Sequence, residues 1–258
     1  MNSPVVVEIC VDSTASAVAA ERGGAHRIEL CSNLAEGGTT PSAGLIESVR
    51  RKVRIPLHVI IRPRSGDFSY SEDEFEIMKR DVLSAKQLGA DGIVLGILKE
   101  DGHVDTDRTR CLVELARPLN ATFHRAFDMS VDLNQALEDV AYVGIDRVLT
   151  SGAEQNAEDG IAAISGLVQR AKGRVAIMVG GGIRETNVRR ILAKTGAREI
   201  HANVGHSIPS PMRYRNDKIA LGAIKGREYQ RVIVPEAKVR RLLDAAFGVP
   251  AVSSSPVF

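Results

Sequence analysis

Short runs rich in β-branched and aliphatic residues recur along the whole chain. They lie at Val5–Val11, Arg27–Cys31, Leu57–Arg62, Gly92–Leu98, Ala121–Phe127, Arg147–Ser151, Val175–Gly180 and Glu199–Val204. Between them the apolar positions switch to a helical period, so strands and amphipathic helices alternate. Two helix starts are legible: Thr40-Pro41 offers an N-cap with proline at the first helical position, and Ser71-x-x-Glu74 reads as a capping box. This alternation implies βαβ units and a parallel sheet.

A weak internal repeat narrows the architecture. Gly24-Ala25-His26-Arg27-Ile28, Gly89-Ala90-Asp91-Gly92-Ile93, Gly144-Ile145-Asp146-Arg147-Val148 and Gly196-Ala197-Arg198-Glu199-Ile200 share one design, a glycine that ends a helix just before a strand. These junctions precede every second strand. Four pairs of βα units close a ring, and the expected fold is an α/β (β/α)8 TIM barrel. After the eighth strand, Gly205–Arg231 reads as an irregular excursion, followed by a helix over about Pro235–Phe247 with Val239, Leu242, Leu243 and Ala246 on one face. Residues 1–248 are expected to form a single domain, and 249–258, rich in Ser and Pro, a disordered tail.

Composition supports this picture. A chain of 258 residues with 44% hydrophobic and 26% charged residues suits one barrel with a large core. It has no Trp and only 4% aromatic residues, so the core must be aliphatic. A formal charge of +2 without a Lys/Arg block argues against nucleic acid as a partner. The N-terminus has neither a basic nor a long apolar leader, and the longest apolar stretches are too short to span a bilayer, so a cytoplasmic protein with no membrane partner is expected. Three cysteines do not make a disulfide framework.

Alternation along each strand assigns faces. Glu8 and Cys10 fall on one face of the first strand, with Asp12 beyond; Glu29 and Cys31 on the second; His58, Ile60, Arg62 and Arg64 on the third; Thr122, His124, Ala126 and Asp128 on the fifth; His201 and Asn203 on the eighth. The outward face must be apolar to meet the helices, so this polar set points into the barrel. A single Glu or His there would read as a satisfied core residue. Several converging from different strands imply a solvated or ligand-filled pocket at the C-terminal ends of the strands, because burying that much charge is costly. The candidate catalytic residues are Glu8, Glu29, Arg62, His124, Asp128 and His201.

Gly180-Gly181-Gly182 follows the seventh strand and opens onto a helix, where barrels often hold a phosphate; it is the candidate anion-binding loop, with Arg213 and Arg215 within reach. The alternative is a tight turn that needs positive φ. Glu8-Ile9-Cys10 and Glu29-Leu30-Cys31 repeat one pattern on neighbouring strands, and two soft thiolates without a closing set of four suit Cu(I) better than structural zinc. The alternative is that both are small core hydrophobes.

At these residues the chain resembles the copper homeostasis protein CutC family. The matching segments include Val7–Cys10, Arg27–Cys31, Glu36–Ser42, Ile61–Phe68, Thr122–Asp128, Arg147–Gly152 and Pro211–Asn216, in the family's order. Ser65 departs from the glycine expected in the Arg62-Pro63-Arg64 loop. The resemblance implies a cytoplasmic barrel, a homodimer or homotetramer, linked to copper tolerance and trafficking. It also implies that Cys10 and Cys31 match the thiols proposed to hold Cu(I) in animal members.

Two classes of function follow. One is a Cu(I)-binding protein using Cys10 and Cys31. The other is an enzyme acting on a small anionic or phosphorylated, sugar-like substrate. There Glu29 and His124 would be acid and base, Arg62 and the Gly180–Gly182 loop would take the anion, and a divalent ion on Glu8, Glu29 and His201 is a variant. A Schiff base is not expected, because Lys99 is the only lysine just past a strand end.

Overall fold

In a computed structural model that describes residues 5–221 and 226–248, the eight runs become eight parallel strands. They are β1 (Val6–Val11), β2 (Arg27–Leu30), β3 (Leu57–Ile60), β4 (Gly92–Leu95), β5 (Asn120–Phe123), β6 (Arg147–Thr150), β7 (Ala176–Val179) and β8 (Glu199–Ala202). They pair in sequence order, and β1 pairs with β8 to close the barrel, Glu8 standing beside His201. The chain is a (β/α)8 TIM barrel.

The outer ring comprises α1 (Thr14–Arg22), α2 (Ala43–Arg50), α3 (Glu72–Gln87), α4 (Thr106–Ala116), α5 (Leu133–Tyr142), α6 (Ile161–Ala171), α7 (Val188–Thr195) and α8 (Glu236–Phe247). Each strand turns one face toward these helices. Val7, Ile9, Ile28, Leu30, Val59, Ile61, Ile93, Leu95, Phe123, Val148 and Ile200 are fully buried there and form one continuous aliphatic core. At about 25 cal/mol per Å² of apolar surface removed from water, this layer is the main source of stability.

The repeated glycines sit where the pattern requires them. Gly24, Gly89, Gly144 and Gly196 all have φ between +73 and +94°, a left-handed conformation that side chains with a Cβ rarely adopt. The capping box at the start of α3 is complete: Ser71 Oγ accepts from Glu74 N–H while the Glu74 carboxylate accepts from Ser71 N–H. The start of α2 corrects an expectation. Ser42, two residues after Thr40, is the N-cap, and Thr40 Oγ1 instead accepts the backbone N–H of Arg62. The side chain of Thr40 is thus engaged across the β3 end, and the helix begins beyond Pro41.

The excursion after β8 contains a two-stranded antiparallel sheet, β9 (His206–Pro209) with β10 (Gln230–Ile233). The chain then enters α8, which occupies the eighth helical place between α7 and α1. The tail 249–258 lies outside the described residues. No helix among the described residues is long and apolar enough to cross a membrane.

Candidate functional site at the barrel mouth

The inward residues form two tiers. In the lower tier Arg27 is paired with Glu8 through Nε and with Glu199 at 2.7 Å, and Glu199 also pairs with Arg147. Glu8 completes its bonding with Nδ1 of His201 at 2.8 Å. Burial works against the ionised form of Glu8, but Arg27 and His201 outweigh it and hold the carboxyl well below the usual range. Arg27, Arg147 and Glu199 were not among the candidates from sequence. Their signal was available: each lies two positions before an inward residue on its own strand.

The upper tier carries the thiols. Cys10 Sγ and Cys31 Sγ are 3.6 Å apart, and both residues are buried in a small apolar cluster with Ile60, Val94 and Leu34. The hydrogen bond between the two sulfurs pulls the Cys10 thiol down and pushes the Cys31 thiol up. Glu29 stands beside them; a ligand atom from each of Cys10, Glu29 and Cys31 lies within 4.8 Å of the others, and the same holds for Glu8, Glu29 and His201. Burial, then the charge of Cys10, drive the Glu29 carboxyl well above its ordinary value. His201 Nε2 is 3.6 Å from Glu29. Against the effect of burial, its contacts with Cys10 and Glu8 raise its own pKa well above normal.

Above these tiers opens a cavity of about 470 Å³ lined by Cys10, Glu29, Arg62, Phe68, His124, Arg184 and His201, among others. That volume is within the range, roughly 300–1,000 Å³, of small-molecule sites. His124 closes one wall. Its Nδ1 accepts the N–H of Ala126 at 3.1 Å, so the neutral ring carries its hydrogen on Nε2, a buried atom with no hydrogen-bond partner. Burial and the charge of Arg62 push this imidazole down to about 3, and burial pushes His58 down to about 4.

Thus Glu29, His124 and His201 reach one cavity together with Cys10, while Glu8 lies just beneath, holding His201. Cys31 does not reach the cavity wall. Three other expected positions are placed differently. Arg62 lines the cavity, but its guanidinium donates to the carbonyls of Glu36, Gly38 and Gly66, leaving only Nε without a partner. Asp128 is turned away, because β5 ends at Phe123 and the chain enters a 3-10 turn over Arg125–Met129 that breaks the strand alternation. Its carboxylate accepts from Arg125, Thr150, Ser151 and the N–H of Ala153, tying that turn to the end of β6. Arg213 is exposed and outside the cavity; Arg184, next to the glycine run, lines it instead.

The glycine run is also more than a start for α7, which begins only at Val188. Gly180 is drawn in to Thr150, whereas Gly181 and Gly182, at φ +97 and +68°, line the cavity.

The sequence model of the CutC family matches residues 5–206. The chain belongs to the CutC family. It is 51% identical over 92% of its length to a copper homeostasis protein cutC homolog of Mus musculus, covering 88% of that protein. A CutC family protein of Chromobacterium violaceum is 47% identical, with 93% of this chain and 97% of the relative covered. Among solved structures, one that carries the CutC name, from Streptococcus agalactiae, superposes with a TM-score of 0.72 at 35% identity, covering 76% of this chain and 97% of that one. A thiamine phosphate pyrophosphorylase from Pyrococcus furiosus, at 17% identity and a TM-score of 0.59 over 95% of this chain and 96% of its own, shares the fold alone. Membership links this CutC chain to copper homeostasis.

Proposed function

We propose that the chain serves copper homeostasis by binding Cu(I) through Cys10 and Cys31. The observation that carries this reading is the 3.6 Å approach of the two sulfurs inside an apolar cluster. Soft thiolates among apolar side chains favour a soft monovalent ion over harder divalent ones. Depression of the Cys10 thiol supplies one sulfur readily as the ligating thiolate. Glu29, the third group within reach, has its carboxyl pushed up by burial and by the charge of Cys10, which disfavours the carboxylate a hard cation needs.

The test is Cu(I) competition against a chromogenic chelator, anaerobic and reducing, for wild type and Cys10→Ser/Cys31→Ser. One tightly held Cu(I) per chain that disappears in the double variant supports the reading. Affinity equal to that of the variant overturns it.

A second reading is favoured by one further observation, the buried and unpartnered Nε2 of His124 in the wall of a cavity of about 470 Å³. In it the mouth accepts a small anionic substrate, Arg62 contributing positive potential and the glycine run contributing amides. Tight Cu(I) binding without affinity for any small anion would remove this second reading.

A further inference from the structure

Two groups at the mouth have no part in a thiol-bound ion. One is His124. It is neutral, its tautomer is fixed by the Ala126 N–H, and its Nε2–H is a buried donor with nothing to donate to. Leaving such a donor unsatisfied costs about 1–3 kcal/mol, so a ligand oxygen that accepts from it recovers that cost. A neutral imidazole gives a hydrogen bond without giving up its proton, which suits a carbonyl oxygen.

The other is the loop after β7. The N–H groups of Gly181, Gly182 and Ile183 have no hydrogen-bond partner among the described residues, and all three residues line the same cavity as His124. Successive unpaired amides in a turn, here at Gly181 with φ +97° and Gly182 with φ +68°, are the groups from which anion-binding concavities are made. Arg184 extends from the same wall with no carboxylate paired to it among the described residues, whereas the neighbouring Arg125 is committed to Asp128.

We propose that the barrel mouth binds a small phosphorylated carbonyl compound, its phosphate on the Gly181–Ile183 amides and Arg184 and its carbonyl oxygen on His124 Nε2–H. This rests on the small-anion reading of the cavity and goes beyond it in naming the two recognition points. The Phe68 ring, half-buried in the same wall, lies 5.0 Å from the His124 ring and flanks this recognition point.

The test is calorimetric titration of reduced, copper-free full-length protein with 2-phosphoglycolate, whose carboxylate stands in for the carbonyl, and with inorganic phosphate. Wild type should bind 2-phosphoglycolate at least about ten-fold more tightly than phosphate, as one buried hydrogen bond to a charged group allows. His124→Asn keeps an oxygen for the Ala126 N–H but loses the Nε2 donor, and should erase that advantage. His124→Gln, whose amide reaches the lost position, should restore most of it, and Arg184→Ala should weaken both anions. Unchanged 2-phosphoglycolate affinity in a folded His124→Asn overturns the inference while phosphate binding still upholds the small-anion reading. Absence of binding for both anions overturns the two together. Should the Asn variant fail to fold, equal wild-type affinities for the two anions decide against it.

Discussion

Nδ1 of His201 lies 2.8 Å from Oε1 of Glu8, at the seam where the last strand of the barrel closes on the first. The other carboxylate oxygen of Glu8 holds Arg27, which in turn holds Glu199. Glu8→Gln keeps the shape but removes the charge and leaves Arg27 with half its compensation. We expect a loss of about 3–5 kcal/mol, the scale for breaking a buried ion pair from one side. Urea unfolding measures it, and a midpoint within error of wild type would show that the seam does not depend on this charge.

Acid should weaken the fold through two buried histidines. His58 and His124 are held neutral, at about 4 and about 3 against an ordinary 6.5. The unfolded chain therefore takes up protons that the folded chain refuses. The stability these groups contribute is full above pH 6.5 and falls as pH drops through the window toward 4 and 3. The slope is at most about 1.4 kcal/mol per pH unit for each group. His201 runs the other way: its pKa is raised, so its contribution is present below 6.5 and is lost as pH climbs through the higher folded value. Stability measured from pH 4 to 8 should rise from the acid end, and His124→Asn should flatten that rise. A profile with the same slope in the variant would contradict this assignment.

Gly38 guards the thiols. Its φ is +89°, and a Cβ there would stand 3.3 Å from Cys31 Sγ. Gly38→Ala should cost about 1–2 kcal/mol in backbone strain and also crowd the sulfur pair. Cu(I) affinity should then fall more steeply than the melting temperature alone explains. Wild-type affinity in the chelator assay would place the ion away from Cys31.

Asp128 is expected to act through architecture. Four neighbouring groups, Arg125, Thr150, Ser151 and the Ala153 N–H, converge on its carboxylate. Asp128→Asn replaces an acceptor by a donor facing donors and should destabilise by about 2–4 kcal/mol. Hydrogen exchange should quicken at Ser151 and Ala153, and protection equal to wild type would contradict the role.

The barrel was legible because two periodicities coincide: strands with one apolar face, and glycines that must take positive φ at the helix ends. The inward set was legible for the same reason as far as each strand lasted. Alternation placed Glu8, Cys10, Glu29 and His201 on inner faces, since β1, β2 and β8 are regular over those positions, and Cys31, just past β2, stays in line because its N–H still bonds to the Val11 carbonyl. It failed at Asp128, where a 3-10 turn replaces the extended chain after Phe123, and no residue type there announces the change. Arg62 illustrates a different limit. Its position follows from alternation, but its partners are backbone carbonyls of two loops, and side-chain chemistry alone cannot show which acceptors a loop will bring. Arg184 was hidden because proximity to a cavity wall depends on how the chain leaves the glycine turn.

The lower tier of the barrel has a consequence for the mouth above it. Glu8 and Glu199 match Arg27 and Arg147, two negative groups against two positive ones, all nearly sealed from water. Such a layer floors the mouth with charges that balance one another. As a whole the layer adds no net charge beneath the mouth, yet it reaches upward through the contact of Glu8 with His201. The charge that a ligand meets is therefore set by the groups above this floor, and by the one imidazole that the floor holds through Glu8.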